Sequence, residues 1–466
     1  MDRDELMKLS KNEIITLLLS ALSTIEEQST KITELEARLK QNSRNSSKPS
    51  STDGFTKLRS LRESSGKNPG GQPGHKGSGL KLKYPSDFTE FHHPPSCSSC
   101  ADADVCMATR HISHRRYEVD IEIKPKITEH QVLQVTCPRT NETLTGTFPV
   151  GINSTVQYGV NLEALAVSLN TIGMVSLNHT HEILSDVFDI PISTATIATM
   201  VKKCASAVLK TVSDVKDAIL EEPLIHFDET GIRVDGKIHW GHIACTETLT
   251  HISIEEKRGK EGMDTIGILP NYDGTGIHDC WSSYFKYDRI RHGLCCAHLL
   301  RDLNAVTENY HQKWAKKLAD LLLEMKSTKE KFLFEGLHEA PEHVWQKYSQ
   351  KYDEIVGEAL AQNPLPEKGA KKKRGKVGAL VDRLILRKDQ WLLFFTDWTV
   401  PFTNNLAERG FRVLKVKQKV AGCFRTKEGA QDFARITSFV STARKRGISP
   451  FFAMKDALLG QPFAVR

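Results

Sequence analysis

Three features are scarce or missing in this 466-residue sequence, and each shortage excludes a class of protein. No window approaches the run of about 18 apolar residues that a membrane-spanning helix needs. The charged beginning, MDRDELMKLSKNEI, lacks the apolar core and small-residue cleavage site of an export signal. The ten cysteines are too dilute for a disulfide framework, which favours a reducing compartment. We therefore expect a soluble, cytoplasmic protein of about three domains.

Charge is nearly balanced over the whole chain. Lys and Arg total 64 and Asp and Glu total 57, which gives a net charge of +7. An excess of this size says little about partners until its position in the sequence is known.

The first 90 residues divide into two segments. Within 1–40, the apolar residues Leu18, Ile25, Ile32 and Leu39 recur at heptad spacing. This spacing predicts either a coiled-coil helix or an amphipathic helix on the protein's own surface. Residues 41–90 are rich in Ser, Asn, Gly, Pro and Lys and have few apolar residues, which predicts a basic flexible linker.

The cysteine spacing in residues 91–150 is typical of a zinc ribbon. Cys97 and Cys100 form one C-x-x-C pair, and Cys137 begins a second turn after two segments of alternating polarity. Thr140 stands where the fourth sulfur would be, although Cys106 or His111 could complete a site by another loop path. Two alternatives are left open, a structural Zn²⁺ or a metal-free remnant held by its strands.

Residues 156–222 are predicted to be helical. An apolar helix is followed by a turn at Asp189-Ile190-Pro191 and by a second helix with Ser193 or Thr194 as its N-cap. This spacing fits a helix-turn-helix that reads DNA, but helical hairpins that merely pack together are more numerous.

A change to period-two hydrophobicity at Leu224 predicts three consecutive antiparallel strands, separated by Asp235-Gly236 and by 246–249. A fourth strand ends at Asp279, and a short strand then runs into a helix in RHGLCCAHLLRDL. This order predicts a mixed α/β fold.

Three acids are candidates for catalysis. Asp228 lies inside an apolar strand, Asp279 lies at a strand end, and Glu408 begins a basic helix far downstream. Carboxylates on adjacent strands and a packed helix could hold two Mg²⁺ ions about 4 Å apart. Taken singly, the same residues could be a strand-end hydrogen bonder, a turn residue and an acid that faces the helix dipole.

Several motifs together resemble the transposases of the insertion-sequence 66 family. They are GGQPGHKG, YGVNLEALAVSLN, HFDETGIRVDGKIHWGHIACT, HDCWSSYF, RHGLCCAHLLRDL, PFTNNLAERGFRVLKVKQKVAGCFRT and FARITSFVSTARKRG, which occur in this order along nearly the whole chain. The resemblance implies a DDE transposase with a ribonuclease-H-like mixed sheet and two Mg²⁺ or Mn²⁺ ions. It places the catalytic, metal-binding acids at Asp228, Asp279 and Glu408.

The same resemblance suggests four supporting residues. Cys295 and His298 match a Cys-and-His signature that follows the second acid, and either a supporting role or a second metal site is open. Asn404 and Asn405 fit as the N-cap and first-turn residue that orient Glu408, and as phosphate contacts.

The charge excess is concentrated directly after Glu408. Residues 409–427 carry a charge of +7 with no acid, so the rest of the chain sums to zero. A basic face beside a metal-carboxylate site is suited to a phosphodiester backbone. The predicted DNA-binding residues are Arg409, Arg412, Lys415, Lys417, Lys419, Arg425 and Lys427.

The catalytic sheet is interrupted, because 128 residues separate Asp279 from Glu408. We expect the first part of the core at 223–298, an all-helical insertion at 299–395, the second part at 396–446 and a C-terminal helix at 447–466. The insertion contains the basic stretch PEKGAKKKRGK, which is either a solvated loop or a phosphate contact.

The expected function is transposition. The protein would bind the terminal inverted repeats of its element, cleave a DNA strand to expose a 3′-hydroxyl, and join that end to target DNA. Homo-oligomers on DNA, accessory proteins of the same element and association with the nucleoid are expected. The alternatives are a structure-selective nuclease on the same sheet and a DNA-binding protein without catalysis.

Overall fold

The computed structural model describes residues 9–42, 45–46, 74, 85–92, 111–121, 123–364 and 374–465. Within these ranges it contains two sheets and a large helical part. The helices are α1 (Lys11–Leu39), α2 (Val160–Thr171), α3 (Leu177–Asp186), α4 (Thr194–Ala207), α5 (Leu209–Leu220), α6 (Lys260–Ile266), α7 (Cys296–Tyr310), α8 (Lys313–Phe334), α9 (Glu342–Gln362), α10 (Gly375–Leu386), α11 (Lys388–Thr396), α12 (Asn405–Ala421), α13 (Lys427–Lys445) and α14 (Pro450–Leu458). The strands are β1 (Gln134–Thr136), β2 (Thr143–Thr145), β3 (Leu224–Val234), β4 (Lys237–Cys245), β5 (Thr250–Glu255), β6 (Thr275–His278) and β7 (Arg291–Leu294).

The large sheet has the strand order β5-β4-β3-β6-β7. Strands β3, β4 and β5 pair antiparallel, and β6 and β7 continue the sheet in parallel with β3. The turn between β3 and β4 is formed by Asp235 and Gly236, whose φ angles of 49° and 71° match the two-residue hairpins that favour Asp-Gly. The predicted mixed α/β fold is confirmed, with β3 at the centre of the sheet.

Helices α12 and α13 pack on the sheet and cover its β5 edge. The hydroxyl of Ser438 accepts a hydrogen bond from the Ile252 amide at 2.8 Å, and that of Thr442 accepts one from the Thr250 amide at 3.1 Å. Both hydroxyl-bearing residues are fully buried. The side chains of α13 thus satisfy backbone donors that an open sheet edge would leave for another strand.

Helices α7 to α11 occupy the segment predicted to be a helical insertion, and the first of them begins at Cys296, three residues before the predicted boundary. These helices share one apolar core with strands β6 and β7, in which Trp314, Trp391 and Phe395 are almost fully buried. Residues 366–373, which are most of the basic stretch PEKGAKKKRGK, lie outside the described residues.

A buried lysine ties the insertion to the chain that leads back to the sheet. The ammonium of Lys329 donates to the carbonyls of Phe394 at 2.9 Å and Val400 at 2.8 Å, and burial lowers its pKa to about 8. Removing the donor leaves two carbonyls unsatisfied. We expect Lys329→Met to lower the free energy of unfolding by about 2 kcal/mol in denaturant titrations, whereas Lys316→Met, at an exposed surface pair, changes it by less than about 0.5 kcal/mol.

The same lysine predicts a pH dependence. Because its folded pKa lies below its unfolded value of about 10.4, the unfolded chain holds the proton more tightly between those two pH values. The stability of the wild type relative to Lys329→Met should therefore rise from pH 8 towards pH 10. A flat difference over that window would show that Lys329 is not buried in solution.

Helix α1 starts at a capping box, in which the Ser10 amide donates to Glu13 at 2.8 Å and the Glu13 amide donates to the Ser10 hydroxyl at 3.4 Å. The heptad row at 18, 25, 32 and 39 is more than half exposed at every position. The helix contacts α7, and its Ala37 is buried. The row therefore faces solvent and does not pack on the protein's own surface, and the coiled coil stays a prediction.

The small sheet lies in the segment predicted to be a zinc ribbon, of which residues 91–92, 111–121 and 123–150 are described. Cys137 follows β1 directly, and hydrogen bonds from Thr140 lower the pKa of its thiol. Cys97, Cys100 and Cys106 lie outside the described residues, so zinc binding stays a prediction.

Residues 156–222 contain helices α2 to α5. The N-cap of α4 is Ser193, whose hydroxyl accepts from the Thr196 amide at 3.0 Å. Its apolar side packs in a core with α13 and α14, which leaves the side of Thr199, Lys202 and Ser206 exposed. Among the described residues, no helix is long and apolar enough to cross a membrane.

Candidate active site

Asp228 and Asp279 meet at the centre of the large sheet. Asp228 lies in the middle of β3, and Asp279 follows the last residue of β6, the parallel neighbour of β3. The strands pair His226 with Ile277, so two further residues along each strand bring Asp228 and Asp279 to the same level. Neighbouring strands lie about 4.8 Å apart, so the two carboxyl groups start from adjacent backbone positions.

Backbone amides, burial and neighbouring carboxylates determine the pKa values of these two acids. The Asp228 carboxylate accepts from the Glu229 amide at 2.9 Å, and the Asp279 carboxylate accepts from the Trp281 amide at 3.1 Å. Burial, followed by the neighbouring carboxylates of Glu229 and Asp279, raises the pKa of Asp228 well above its usual range. Burial, followed by Glu229, raises the pKa of Asp279 to about 7. The site therefore concentrates negative charge in a place with little water.

Helix α12 brings Glu408 to the same place. Two glycines allow the close approach of this helix to β4, because a Cβ on Gly410 would collide with Ile243 and one on Gly241 would lie 2.9 Å from Leu414. Glu408 lies in the first turn of α12, and its charge contributes to the raised pKa of Asp228.

Asn404 stands at the predicted N-cap position, but its side chain bonds to the sheet. It is the N-cap residue of α12 by position, but its side chain makes no cap hydrogen bond. Instead its amide donates to the Phe227 carbonyl at 2.7 Å, and its Oδ1 lies 2.8 Å from His226 Nδ1. The Asn404 side chain therefore links the start of α12 to β3 at Phe227, one residue before Asp228. Asn405, the first residue of the helix, is exposed.

The contacts of Asn404 predict a specific defect. Asn404→Ala removes the link between the strand of Asp228 and the helix of Glu408, so the two acids lose their fixed separation. Loss of such supporting contacts commonly costs about 10-fold or more in metal affinity or activity. We expect about a 10-fold fall in metal-dependent DNA cleavage, with the salt dependence of DNA binding unchanged. Asn405→Ala is the matched control, and equal rates for the two variants would contradict the assignment.

Glu229 is a further acid that the sequence pattern did not single out, and it is buried whereas Asp228 and Asp279 are only partly buried. Its Oε1 accepts from the Arg258 guanidinium at 2.6 Å, and its Oε2 accepts from the Tyr284 hydroxyl at 2.6 Å. Arg258 in turn lies over the rings of Trp240 and Trp281, at 4.8 and 4.1 Å from their centroids. Glu229 is therefore a paired, structural acid, while Asp228 and Asp279 have no such cation on their carboxylates among the described residues.

Cys295 and His298 lie beside Glu408. Cys295 follows β7 and is fully buried, and His298 lies in the first turn of α7. His298 Nδ1 and the Arg301 guanidinium each lie 3.7 Å from Glu408 Oε1. Among the described residues, Cys295, His298 and Glu408 are the one group of three or more Cys, His, Asp or Glu residues whose ligand atoms all lie within 4.8 Å of one another. The side-chain oxygens of Asp228, Asp279 and Glu408 are farther apart than this.

The predicted DNA-binding residues differ in how far their side chains are exposed to solvent. Arg409, Arg412, Lys415, Lys419 and Arg425 are exposed, and Arg412, Lys415 and Lys419 share the helix face of Glu408 because they follow it by 4, 7 and 11 positions. The prediction for Lys417 is wrong. Its side chain is buried, and its ammonium donates to the Asn170 carbonyl at 2.8 Å, so it is not available to a phosphate. Lys427 forms a surface ion pair with Glu256 at 2.9 Å.

The comparisons with known proteins identify the family. A model of the transposase IS66 family matches residues 155–432, which is more than half of the chain and includes all three acids. The chain belongs to the transposase IS66 family. A second model, of a family of unknown function (DUF6444), matches residues 3–81 of this transposase. No curated protein gives a significant match.

Family membership makes DNA the substrate of this transposase, and DDE transposases generally use divalent metal ions. The residues present fit such ions. Asp228 and Asp279 are adjacent, partly buried carboxylates that repel each other, and a divalent cation relieves that repulsion. Oxygen donors are also the ligands that Mg²⁺ and Mn²⁺ prefer.

Proposed function

We propose that this IS66-family transposase cleaves DNA at the ends of its element and joins the exposed 3′-hydroxyl to target DNA, with Asp228, Asp279 and Glu408 as the catalytic acids. The observation that carries the proposal is the parallel pairing of β3 with β6. It places Asp228 and Asp279 side by side, in surroundings that raise the pKa of both carboxyl groups.

The strand order supports a ribonuclease-H-like assignment of the sheet. Three antiparallel strands are followed by two parallel strands added on the far side of the first, and the helical insertion separates β7 from the helix of the third acid. In open sheets, ligand sites lie at the carboxyl ends of strands, which is the position of Asp279.

Each residue has a defined task in the proposed chemistry. Asp228, Asp279 and Glu408 would hold two divalent cations, which when bound supply an activated water or 3′-hydroxyl and stabilise the leaving oxygen. Asn404 holds the helix of Glu408 against the strand of Asp228. The exposed basic residues of α12 would bind phosphates on either side of the scissile bond.

A purified reaction tests the function. The transposase is incubated with Mg²⁺ and a duplex that carries one end of the element, together with supercoiled target plasmid. We expect cleaved ends and plasmid joined to the labelled strand. Cleavage without joined products would favour the structure-selective nuclease. Binding without cleavage in either Mg²⁺ or Mn²⁺ would favour the non-catalytic DNA-binding protein.

The exposed apolar row of α1 supports a homo-oligomer. Two copies of α1 could bury the row of Leu18, Ile25 and Ile32 against each other, as in a parallel coiled coil. We expect Ile25→Lys with Ile32→Lys to dissociate the oligomer in sedimentation-velocity runs. Lys substitutions at Thr24 and Thr33, which lie outside the row, should leave it intact, and an unchanged sedimentation coefficient in the Ile variant would contradict the coiled coil.

The remaining divisions of the chain are also proposals. We infer a linker at 41–90, most of which lies outside the described residues, a zinc-ribbon-like module at 91–150, a DNA-binding helical region at 156–222, and a catalytic core at 223–298 and 396–446 split by the insertion. A structural Zn²⁺ held by Cys97, Cys100 and Cys137, accessory proteins of the same element, and a nucleoid-associated location in the cytoplasm complete the proposal.

A further inference from the structure

The residues Cys295, His298 and Glu408 form a cluster that the proposed chemistry uses only through Glu408. Their ligand atoms come from three places, the end of β7, the first turn of α7 and the first turn of α12. Sulfur, nitrogen and oxygen atoms all lie within 4.8 Å of one another. This donor set differs in kind from the all-oxygen set of the acids.

Two buried atoms of the cluster have no hydrogen-bond partner. They are Nδ1 of His298 and Oε1 of Glu408, which face each other across 3.7 Å. That separation is too long for a hydrogen bond. It is close to the spacing of roughly 3.3–3.6 Å that two ligands of one tetrahedral zinc ion adopt, given bond lengths of about 2.0–2.3 Å.

The third ligand atom is already held in place. The backbone amide of Asn404 donates to Cys295 Sγ at 3.1 Å, and this contact fixes the position of the sulfur. Cys295 has no exposed surface, and α12, which carries Glu408, is fastened to β3 by the Asn404 side chain. The three ligands therefore belong to elements whose relative positions are fixed.

We propose that Cys295, His298 and Glu408 bind a zinc ion, with the fourth position open to water or to a phosphate oxygen. Thiolate and imidazole ligands select Zn²⁺ over Mg²⁺, which prefers oxygen ligands. Arg301 lies 3.7 Å from the same oxygen of Glu408, and its side chain is 24% exposed, so it has room to move towards solvent when the ion binds.

Because Glu408 belongs to both the zinc site and the acid site, zinc binding would regulate cleavage. This consequence rests on the proposed function. A zinc ion on Glu408 withdraws that carboxylate from the cations of the acid site. Zn²⁺ binding and metal-dependent cleavage should therefore exclude each other.

Cobalt spectroscopy on the full chain tests the binding site. The starting protein carries Ser in place of Cys97, Cys100, Cys106 and Cys137, so that the predicted ribbon cannot contribute. One equivalent of Co²⁺ should then give sulfur-to-cobalt charge-transfer absorption with tetrahedral d–d bands. Cys295→Ser should abolish the charge-transfer absorption, whereas Cys204→Ser, at a buried thiol of the α4 core, should leave it unchanged.

Two further variants test the site independently, in case Cys295→Ser does not fold. His298→Ala and Glu408→Gln should each weaken Co²⁺ binding at least about 10-fold while the far-ultraviolet circular dichroism stays that of the starting protein. Absence of charge-transfer absorption, or absorption that survives Cys295→Ser, would overturn the zinc site and leave the proposed function standing. Cleavage that continues at full rate with the cobalt bands present would overturn the shared use of Glu408.

Discussion

Asp228→Asn should abolish metal-dependent end cleavage, with a loss of about 1000-fold or more, which corresponds to about 4 kcal/mol of barrier. Asn has the shape of Asp but cannot carry the negative charge that would hold a divalent cation. DNA affinity should stay within about twofold of the wild type at equal salt, because Asp228 contributes no positive charge to the phosphate contacts. Gel-based cleavage and fluorescence-anisotropy binding measure the two quantities.

The same substitution should not destabilise the fold. Burial and neighbouring carboxylates raise the pKa of Asp228, so the charged group is costly in the native state and Asn relieves that cost. The melting temperature is expected to stay equal or rise. Asp235→Asn, in the exposed turn at the end of the same strand, is the matched control and should keep full activity. Cleavage by Asp228→Asn at the rate of this control would remove Asp228 from the catalytic site.

Replacing Arg409, Arg412 and Lys419 together by Ala should weaken DNA binding roughly 100-fold near physiological salt. The three side chains are exposed on α12, where Arg409 and Arg412 follow Glu408 by one and four positions and Lys419 lies in the last turn. The plot of log affinity against log salt should also become shallower by about 3, since each phosphate contact contributes about 0.9. Lys415 is left in place because its ammonium donates to the Gly231 carbonyl.

The control for this variant removes three charges elsewhere. Lys316, Lys317 and Lys331 are exposed on α8 and already pair with Asp320, Glu358 and Glu335. Their replacement by Ala should change the affinity little and leave the salt slope unchanged. If the two triple variants lost affinity equally, binding would depend on net charge and not on the face of α12.

The parts of the fold that depend on local pattern were predictable. The period-two alternation and the Asp-Gly turn placed β3, β4 and β5, and the strand before Asp279 was found one residue from its true end. The order of the strands could not be read from these signals, because the parallel pairing of β3 with β6 joins segments about 50 residues apart. The expectation of this strand order came from the resemblance to the insertion-sequence 66 family.

The candidate site was predictable for its acids and not for the residues that hold them. Asn404 looked like a helix cap, since Asn before a helix usually caps it. Its side chain instead reaches Phe227, which lies 177 positions earlier in the chain. Nothing in the sequence pattern points to Glu229, because its partners Arg258 and Tyr284 come from later segments of the sequence.

Lys417 shows where counting charges fails. It was placed in the DNA-binding set because it lies in the most basic stretch of the chain. It follows Leu414 by three positions, however, and so shares the packed face of α12 with Leu414 and Phe411. Helical periodicity could have separated it from the exposed basic residues, and its contact with Asn170 confirms the separation.

The central claim is that Asp228, Asp279 and Glu408 form one divalent-metal site for cleavage of the element's ends. Calorimetric titration of Mn²⁺ into the complex of the transposase with a DNA end tests this most directly. We predict two ions per chain for the wild type and none for a chain that carries both Asp228→Asn and Asp279→Asn. Equal Mn²⁺ binding by the two chains would contradict the account.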